Sequence, residues 1–134
     1  DPECQPIVMR MNFDLYDYFV ASADGKLSSM PSISWNEKYA VCVVLASNGY
    51  PESYPKNEEI SGFDSILNES HVFHAGTTNS NGKIFSNGGR VLGVTALGDT
   101  LESAIKNAYN AVAKISWPSK YYRTDIGKKG LSYF

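Results

Sequence analysis

Three consecutive residues, Gly88, Gly89 and Arg90, form the pattern in this sequence that is best suited to binding chemistry. Two adjacent glycines let the backbone approach another group closely, because they carry no Cβ. Backbone amides together with the guanidinium that follows suit a phosphate or a carboxylate. The same residues are also typical of a sharp turn followed by a solvated arginine, and the pattern alone leaves both interpretations open.

Other residue types that often do chemistry are present but are not spaced for it. His71 and His74 are three residues apart, so on a strand they would face opposite sides of a sheet and are not expected to share a metal ion. Cys4 and Cys42 follow no metal-binding spacing, and the apolar run around Cys42 predicts a buried thiol. The sequence contains no G-x-S-x-G, Walker A or G-x-G-x-x-G motif. These patterns therefore predict no metal site on this chain.

Strands are predicted on both sides of the glycine turn. Residues 71–98 predict three strands joined by two glycine turns: Val72–Ala75, Lys83–Phe85 and Arg90–Leu97, with turns at Asn81-Gly82 and at Asn87-Gly88-Gly89. Asn-Gly readily adopts the positive φ angles that tight hairpins need. A further strand at Tyr39–Ala46 is almost continuously apolar and rich in β-branched residues, which predicts a central strand that is buried on both faces.

One long helix is predicted to cover these strands. It begins at Asp99 or Thr100, with Glu102 placed as in a capping box, and Pro118 ends it. Its apolar side chains recur at helical spacing and are Leu101, Ala104, Ile105, Ala108, Val112 and Ile115. The fold class is therefore predicted to be α+β, with a small antiparallel sheet or barrel-like domain and one long packed helix.

Two shorter helices are predicted at the front of the chain. Asp1-Pro2-Glu3 suits a helix start with proline at the first helical position, and Asn12 or Asp14 can cap a second helix that stops at Gly25. A short strand is predicted at Ile33–Trp35. The front end is apolar enough to require a partner surface, part of which we expect on protein outside this sequence.

Bulk properties limit the function classes. The chain has 134 residues, 43% hydrophobic and 19% charged, enough for one domain with a modest core. A formal net charge of −2 argues against a nucleic acid or an anionic membrane as the main partner. No apolar run approaches the length of a membrane span. The residues alone thus predict an α+β domain with a candidate anion-binding turn.

Several segments resemble one enzyme family, the phosphoribosylamine–glycine ligases, also called glycinamide ribonucleotide synthetases. These segments are VFHAGT at 72–77, SNGGRVLGVTALGDTLESAIKNAY at 86–109, YYRTDIG at 121–127, VLASNGYP at 44–51 and DPECQ at 1–5. The resemblance covers essentially the whole chain in the same order. It implies a C-terminal fragment, with residues 1–30 as the helical end of an ATP-grasp core and residues 31–134 as the C-terminal domain.

The resemblance also implies a reaction. The family joins 5-phosphoribosylamine and glycine in de novo purine synthesis, while ATP is converted to ADP and phosphate with Mg²⁺ or Mn²⁺. The family's metal ligands and ATP-binding loops lie upstream, so we expect the remainder of the same polypeptide to be the main partner. We expect no catalytic residue, no bound cofactor and no activity on this fragment alone, and a cytoplasmic location. The rival hypothesis is a stand-alone binding module for a small anion or a carrier protein.

For individual residues, the resemblance implies a phosphate site at Gly88, Gly89 and Arg90. It also implies that Asp1, Pro2 and Glu3 face the active-site cleft, although these residues suit a helix cap equally well. His74 is a further candidate substrate ligand, but a buried, hydrogen-bonded structural role is favoured for it. For Arg123 and Asp125, a pair that holds the tail on the domain is favoured over substrate binding.

Overall fold

The computed structural model describes residues 2–67 and 69–133. The strands are β1 (Tyr39–Ser47), β2 (Glu59–Ile60), β3 (Ser70–His74), β4 (Thr77–Ser80), β5 (Lys83–Ser86), β6 (Arg90–Gly98) and β7 (Lys120–Tyr121). The α-helices are α1 (Cys4–Met9), α2 (Leu15–Ala23) and α3 (Leu101–Lys114). Short 3₁₀ turns occupy Leu27–Ser29, Phe63–Ser65 and Lys128–Tyr133.

Among the described residues the strands form two antiparallel sheets. The larger sheet has the order β3-β6-β1-β7, and the smaller one has the order β2-β5-β4. The predicted α+β class is confirmed, as is the central position of the apolar strand β1. In the part of the chain that the structure describes, neither sheet closes into a barrel, which corrects the barrel-like expectation.

The two faces of the larger sheet have different neighbours. On one face, paired residues such as Leu45 and Leu92 belong to the core that α3 covers. On the other face lie Cys42, which is buried as predicted, and Gly93. A Cβ on Gly93 would stand 3.9 Å from Cγ of Gln5, so α1 packs on this second face.

Helix α3 begins with a capping box, but its members differ from those predicted. Thr100 is the N-cap residue, and its hydroxyl accepts a hydrogen bond from the backbone N–H of Ser103 at 3.1 Å. The Ser103 hydroxyl in turn accepts from the backbone N–H of Thr100 at 3.0 Å, so Glu102 has no part in the box. The helix ends at Lys114, before the predicted stop at Pro118, because Ile115 has already turned to an extended conformation.

The predicted three-strand unit is instead four strands divided between the two sheets. β3 pairs with β6 in the larger sheet, whereas β4 and β5 pair in the smaller one. The chain leaves the larger sheet at Gly76 and returns at Gly88. A Cβ on Gly76 would lie 2.7 Å from Cα of Gly88, so glycine is required for the two backbones to cross. The Asn81-Gly82 hairpin is confirmed, with φ angles of 52° and 78°.

The front end is loosely packed compared with the sheet. Asp14 caps α2 as predicted, accepting from the backbone N–H of Tyr16 at 2.9 Å, and Gly25 follows the helix with a φ of 68°. The strand predicted at Ile33–Trp35 is reduced to a single bridge between Met11 and Trp35. Within α2 only Ala21 is buried. The division at residues 30 and 31 stays a prediction.

Candidate functional site

A cavity of about 300 Å³ lies on the face of the larger sheet opposite α3. Alternate residues of β1 form its apolar floor, since strand side chains alternate between faces. The lining residues are Cys42, Val44 and Ala46 of the floor, with Pro2, Tyr50, Arg90, Tyr121, Tyr122, Arg123 and Ile126 around them. Two arginines and three tyrosines from separate segments therefore surround one apolar surface.

Arg90 reaches this cavity because β6 contains a bulge. Leu45 pairs with Leu92, but the next residue, Ala46, pairs with Arg90, so the register shifts by one residue. Strict alternation would place Arg90 on the α3-covered face together with Leu92. The extra residue, Val91, is fully buried, and Arg90 is turned to the opposite face, where it is exposed.

The small side chain of Ala46 separates Arg90 from Tyr121. Ala46 pairs with Arg90 on β6 and with Tyr121 on β7. Directly paired residues on antiparallel strands project to the same side, so the three side chains lie in a row across the sheet. Because alanine fills little space, an open floor remains between the guanidinium and the tyrosine ring.

Gly88 and Gly89 are required by packing. A Cβ on Gly89 would stand 2.0 Å from Cδ2 of Tyr50, and one on Gly88 would stand 2.9 Å from Cα of Gly76. Ser47 binds both carbonyl groups, through its backbone N–H to Gly89 at 2.8 Å and through its hydroxyl to Gly88 at 3.3 Å. The close approach that the glycines predict is therefore made to Tyr50 and Gly76. Their role in binding an anion stays a prediction.

The acidic front end lies beside Arg90. Asp1 lies outside the described residues, Pro2 lines the cavity, and Glu3 is the N-cap residue of α1. Pro2 therefore precedes the helix, which corrects its predicted place at the first helical position. A hydrogen bond from its own backbone N–H is the main cause that holds the pKa of the Glu3 carboxyl below its ordinary value, and the charge of Arg90 adds the smallest contribution.

His74 lies outside the lining of this cavity. Its Nδ1 is 3.0 Å from the hydroxyl of Thr77, and its ring stacks on Phe63 with centroids 5.5 Å apart. The hydrogen bond agrees with the predicted structural role, but the predicted burial is wrong, because β3 is an edge strand and His74 is exposed. His71 and His74 pair with Thr95 and Leu92, which face opposite sides, as predicted.

The sequence did not identify Tyr50 or Tyr121 as residues of this cavity, and for Arg123 it favoured a structural pair with Asp125. Arg123 pairs with Asp125 through two hydrogen bonds of 2.9 and 2.6 Å. The predicted pair is confirmed, but the link from the tail to the domain is made by Tyr109, whose hydroxyl donates to the carbonyl of Arg123 at 2.7 Å. The spacing of arginine and aspartate in R-T-D indicated the pair, but it did not show which surface of the domain the pair lies on.

A larger hollow lies elsewhere, beneath α1. It measures about 570 Å³ and is lined by Pro6, Ile7, Arg10, Trp35, Tyr39 and Ala40. The Nε of Arg10 donates to the carbonyl of Asn36 at 3.0 Å, so this arginine already holds the chain segment beside it. The cavity at Arg90 is the better candidate because it combines two arginines with an apolar floor.

The fold and cavity define an α+β domain that is suited to binding a small anion. Residues 40–129 match the family model described as phosphoribosylglycinamide synthetase, C domain. The chain belongs to this family.

Known relatives extend the comparison to nearly the whole chain. The phosphoribosylamine–glycine ligase of Rhodopirellula baltica is 44% identical over 98% of the chain, and the chloroplastic ligase of Arabidopsis thaliana is 45% identical over 98%. The chain spans 30% and 25% of these proteins, respectively. The crystal structure of the ligase from Thermotoga maritima superposes with a TM-score of 0.63 at 35% identity, covering 80% of this chain and 27% of that one. The chain is thus similar to less than a third of each relative.

Proposed function

We propose that this chain is the C-terminal part of a phosphoribosylamine–glycine ligase and that its cavity binds the phosphate of 5-phosphoribosylamine. The observation that carries the proposal is the placement of Arg90 by the β6 bulge, on the rim of an apolar-floored cavity. Arginine can bind a phosphate through two parallel N–H groups. The apolar floor excludes water from one side, which strengthens such a contact.

The reaction proposed for the whole enzyme joins phosphoribosylamine to glycine with conversion of ATP to ADP and phosphate. Among residues 2–67 and 69–133, no cluster of three His, Cys, Asp or Glu side chains could hold a metal ion. Because the chain spans only 30% of the ligase of Rhodopirellula baltica, we propose that Mg²⁺ or Mn²⁺, ATP and glycine bind to the remainder of the same polypeptide. The role of this chain is to bind and orient the sugar phosphate, and it is expected to be inactive by itself.

The front end supports the proposed partner. Phe19 and Tyr16 of α2 are 64% and 69% exposed, and large aromatic side chains on one short helix indicate a surface that another part of a protein covers. Pro2 lines the cavity together with Arg90, where it would adjoin both the preceding polypeptide and the substrate. No nucleic-acid or membrane partner is proposed, and the proposed location is the cytoplasm.

Among the residues that the structure describes, no helix is both long enough and apolar enough to cross a lipid bilayer.

The proposal is tested by Arg90→Ala in the intact ligase that contains this chain. Loss of a bidentate arginine–phosphate contact is expected to cost about 1.5–3 kcal/mol, which raises the KM for phosphoribosylamine about 10- to 150-fold. The KM for ATP should change less than about twofold, because ATP binds elsewhere. Steady-state kinetics with each substrate varied in turn measures both values.

The matched control is Lys83→Ala. Lys83 is an exposed cation on the smaller sheet, paired with Glu59 at 2.9 Å and outside the cavity lining. The Lys83→Ala variant should therefore leave the KM values for phosphoribosylamine and for ATP unchanged. An unchanged KM for phosphoribosylamine in Arg90→Ala would return Arg90 to a structural role in the turn.

A further inference from the structure

We infer that Arg123 is a second anion-binding side chain of the cavity and that Asp125 positions it. The inference rests on the proposed function, since it concerns the same sugar phosphate. Arg123 and Arg90 line one cavity, although they are 33 positions apart in the chain. A phosphate monoester is largely doubly charged at neutral pH, so two guanidinium groups match its charge better than one.

The Arg123–Asp125 pair has the geometry of an orienting contact. Nε donates to Oδ1 at 2.9 Å and Nη2 donates to Oδ2 at 2.6 Å, so one edge of the guanidinium is fixed by both carboxylate oxygens. The hydrogen bond from Arg123 holds the pKa of Asp125 below its ordinary value, which keeps the carboxylate charged. The guanidinium has five N–H donors, of which the carboxylate takes two, so the remaining donors keep a defined direction.

Stability does not account for this pair. The Arg123 and Asp125 side chains are 68% and 53% exposed, and exposed ion pairs stabilise proteins little. The surrounding backbone is held by other contacts: Tyr109 donates to the carbonyl of Arg123 and accepts from the backbone N–H of Ile126 at 3.1 Å. The tail therefore has anchors besides the pair, and we expect it to keep its place when the pair is removed.

The register of the sheet sets the spacing between Arg90 and Tyr121, and Tyr121 lies two positions before Arg123. Arg90 is paired with Ala46, Ala46 is paired with Tyr121, and Arg123 follows two residues later. Arg90 and Tyr121 are thus two strand spacings apart, about 10 Å between backbones. Arg90 and Arg123 both line the cavity and have long side chains, so their guanidinium groups can bind one phosphate there.

The chain contains a matched control pair. Lys26 and Asp24 are also two residues apart, with a distance of 3.1 Å and side-chain exposures of 68% and 52%. Neither residue lines the cavity. The two pairs thus share spacing and exposure and differ in the surface that they reach.

The test uses Arg123→Ala, Asp125→Asn and the double variant in the intact ligase. We expect Arg123→Ala to raise the KM for phosphoribosylamine about tenfold and Asp125→Asn about threefold, with kcat within about twofold. If Asp125 acts through Arg123, the KM of the double variant should match that of Arg123→Ala. The carboxylate has no guanidinium to orient once Arg123 is absent, so its removal should then have no further effect. Arg123→Lys should recover little, because an ammonium cannot bind both the carboxylate and the phosphate as a planar fork. Lys26→Ala and Asp24→Asn should leave the KM unchanged.

Three results would overturn the inference. One is an unchanged KM for Arg123→Ala; if Arg90→Ala raises the KM in the same assays, the proposed function stands without this inference. Another is a further increase in the KM for phosphoribosylamine when Asp125→Asn is added to Arg123→Ala, which would show that Asp125 acts independently of Arg123. The third is a loss of folding in Arg123→Ala, seen as a fall in the thermal midpoint of more than about 4 °C, because the pair would then be structural.

Discussion

The larger sheet with α3 and the front end with α1 and α2 use their apolar residues in opposite ways. Leu45, Leu92 and Val112 are at most 1% exposed, and this region buries its own apolar surface. In α2, by contrast, Phe19 is 64% exposed and only Ala21 is buried. The difference teaches that the sheet with α3 buries its own apolar surface, whereas the front end exposes apolar side chains that we propose another part of a longer protein covers. Four experiments follow from this comparison.

The largest effect is expected from Leu92→Ala in the core. Leu92 is 1% exposed, and truncating such a side chain removes buried apolar contacts and leaves a cavity. The free energy of unfolding should fall by about 3 kcal/mol, measured by denaturant unfolding of this chain. Leu131→Ala is the control, because Leu131 is 43% exposed and should cost less than about 0.5 kcal/mol. Similar losses at both positions would contradict a self-contained core.

An effect of intermediate size is expected for the reactivity of the two cysteines, since each region contains one. Cys4 is exposed on α1, whereas Cys42 is buried in the sheet and burial raises the pKa of its thiol. Iodoacetamide should alkylate Cys4 about a hundredfold faster at pH 8, which corresponds to about 2.7 kcal/mol. Peptide mapping by mass spectrometry measures both rates. Equal rates would mean that the sheet opens as readily as the front end.

The raised pKa of Cys42 also makes the free energy of unfolding depend on pH, and this free energy should fall at high pH. The unfolded thiol loses its proton at a lower pH than the folded one, so the contribution of Cys42 is complete below the ordinary thiol pKa of about 8.5 and is lost as pH rises through the folded pKa. The same unfolding measurement on Cys42→Ala, with pH varied, isolates this contribution from those of tyrosines and lysines.

The smallest effect is expected from Phe19→Ser on α2. In this chain the side chain is mainly exposed, so the change in unfolding free energy should be below about 0.5 kcal/mol. Ala21→Ser is the matched control on the same helix, because Ala21 is 7% exposed and a buried hydroxyl should cost about 1 kcal/mol. In the longer protein Phe19→Ser should become the more costly change. Equal and small effects of Phe19→Ser in both proteins would show that nothing covers α2.

Local patterns predicted the central elements of the fold well. The β-branched run at Tyr39–Ala46 and the helical spacing after Thr100 each depend on neighbouring residues only, and both elements formed. The division of residues 70–98 between two sheets depends on which distant strand each one joins, and strand pairing is not encoded in alternation alone.

The site was less predictable for the same reason. Arg90 was recognised from its glycine turn, but the bulge that turns it away from the core is visible only in the register with β1. Arg123 lies in the cavity because the tail returns beside β1 after α3 has crossed the sheet. A cavity that is assembled from four separate segments has no single sequence pattern of its own.

The Tyr109 hydroxyl gives the cavity a thermodynamic connection to the helix on the opposite face. One oxygen atom donates to the carbonyl of Arg123 and accepts from the backbone N–H of Ile126, so it joins α3 to the rim. Lys120 of β7 makes a further connection, because its Nζ donates to the carbonyl of Val112 at 3.1 Å. An anion held by Arg123 would therefore stabilise a helix that it never touches, by mass action on the folded state. Reciprocally, a change in α3 that displaces Arg123 would weaken the affinity of the cavity for an anion.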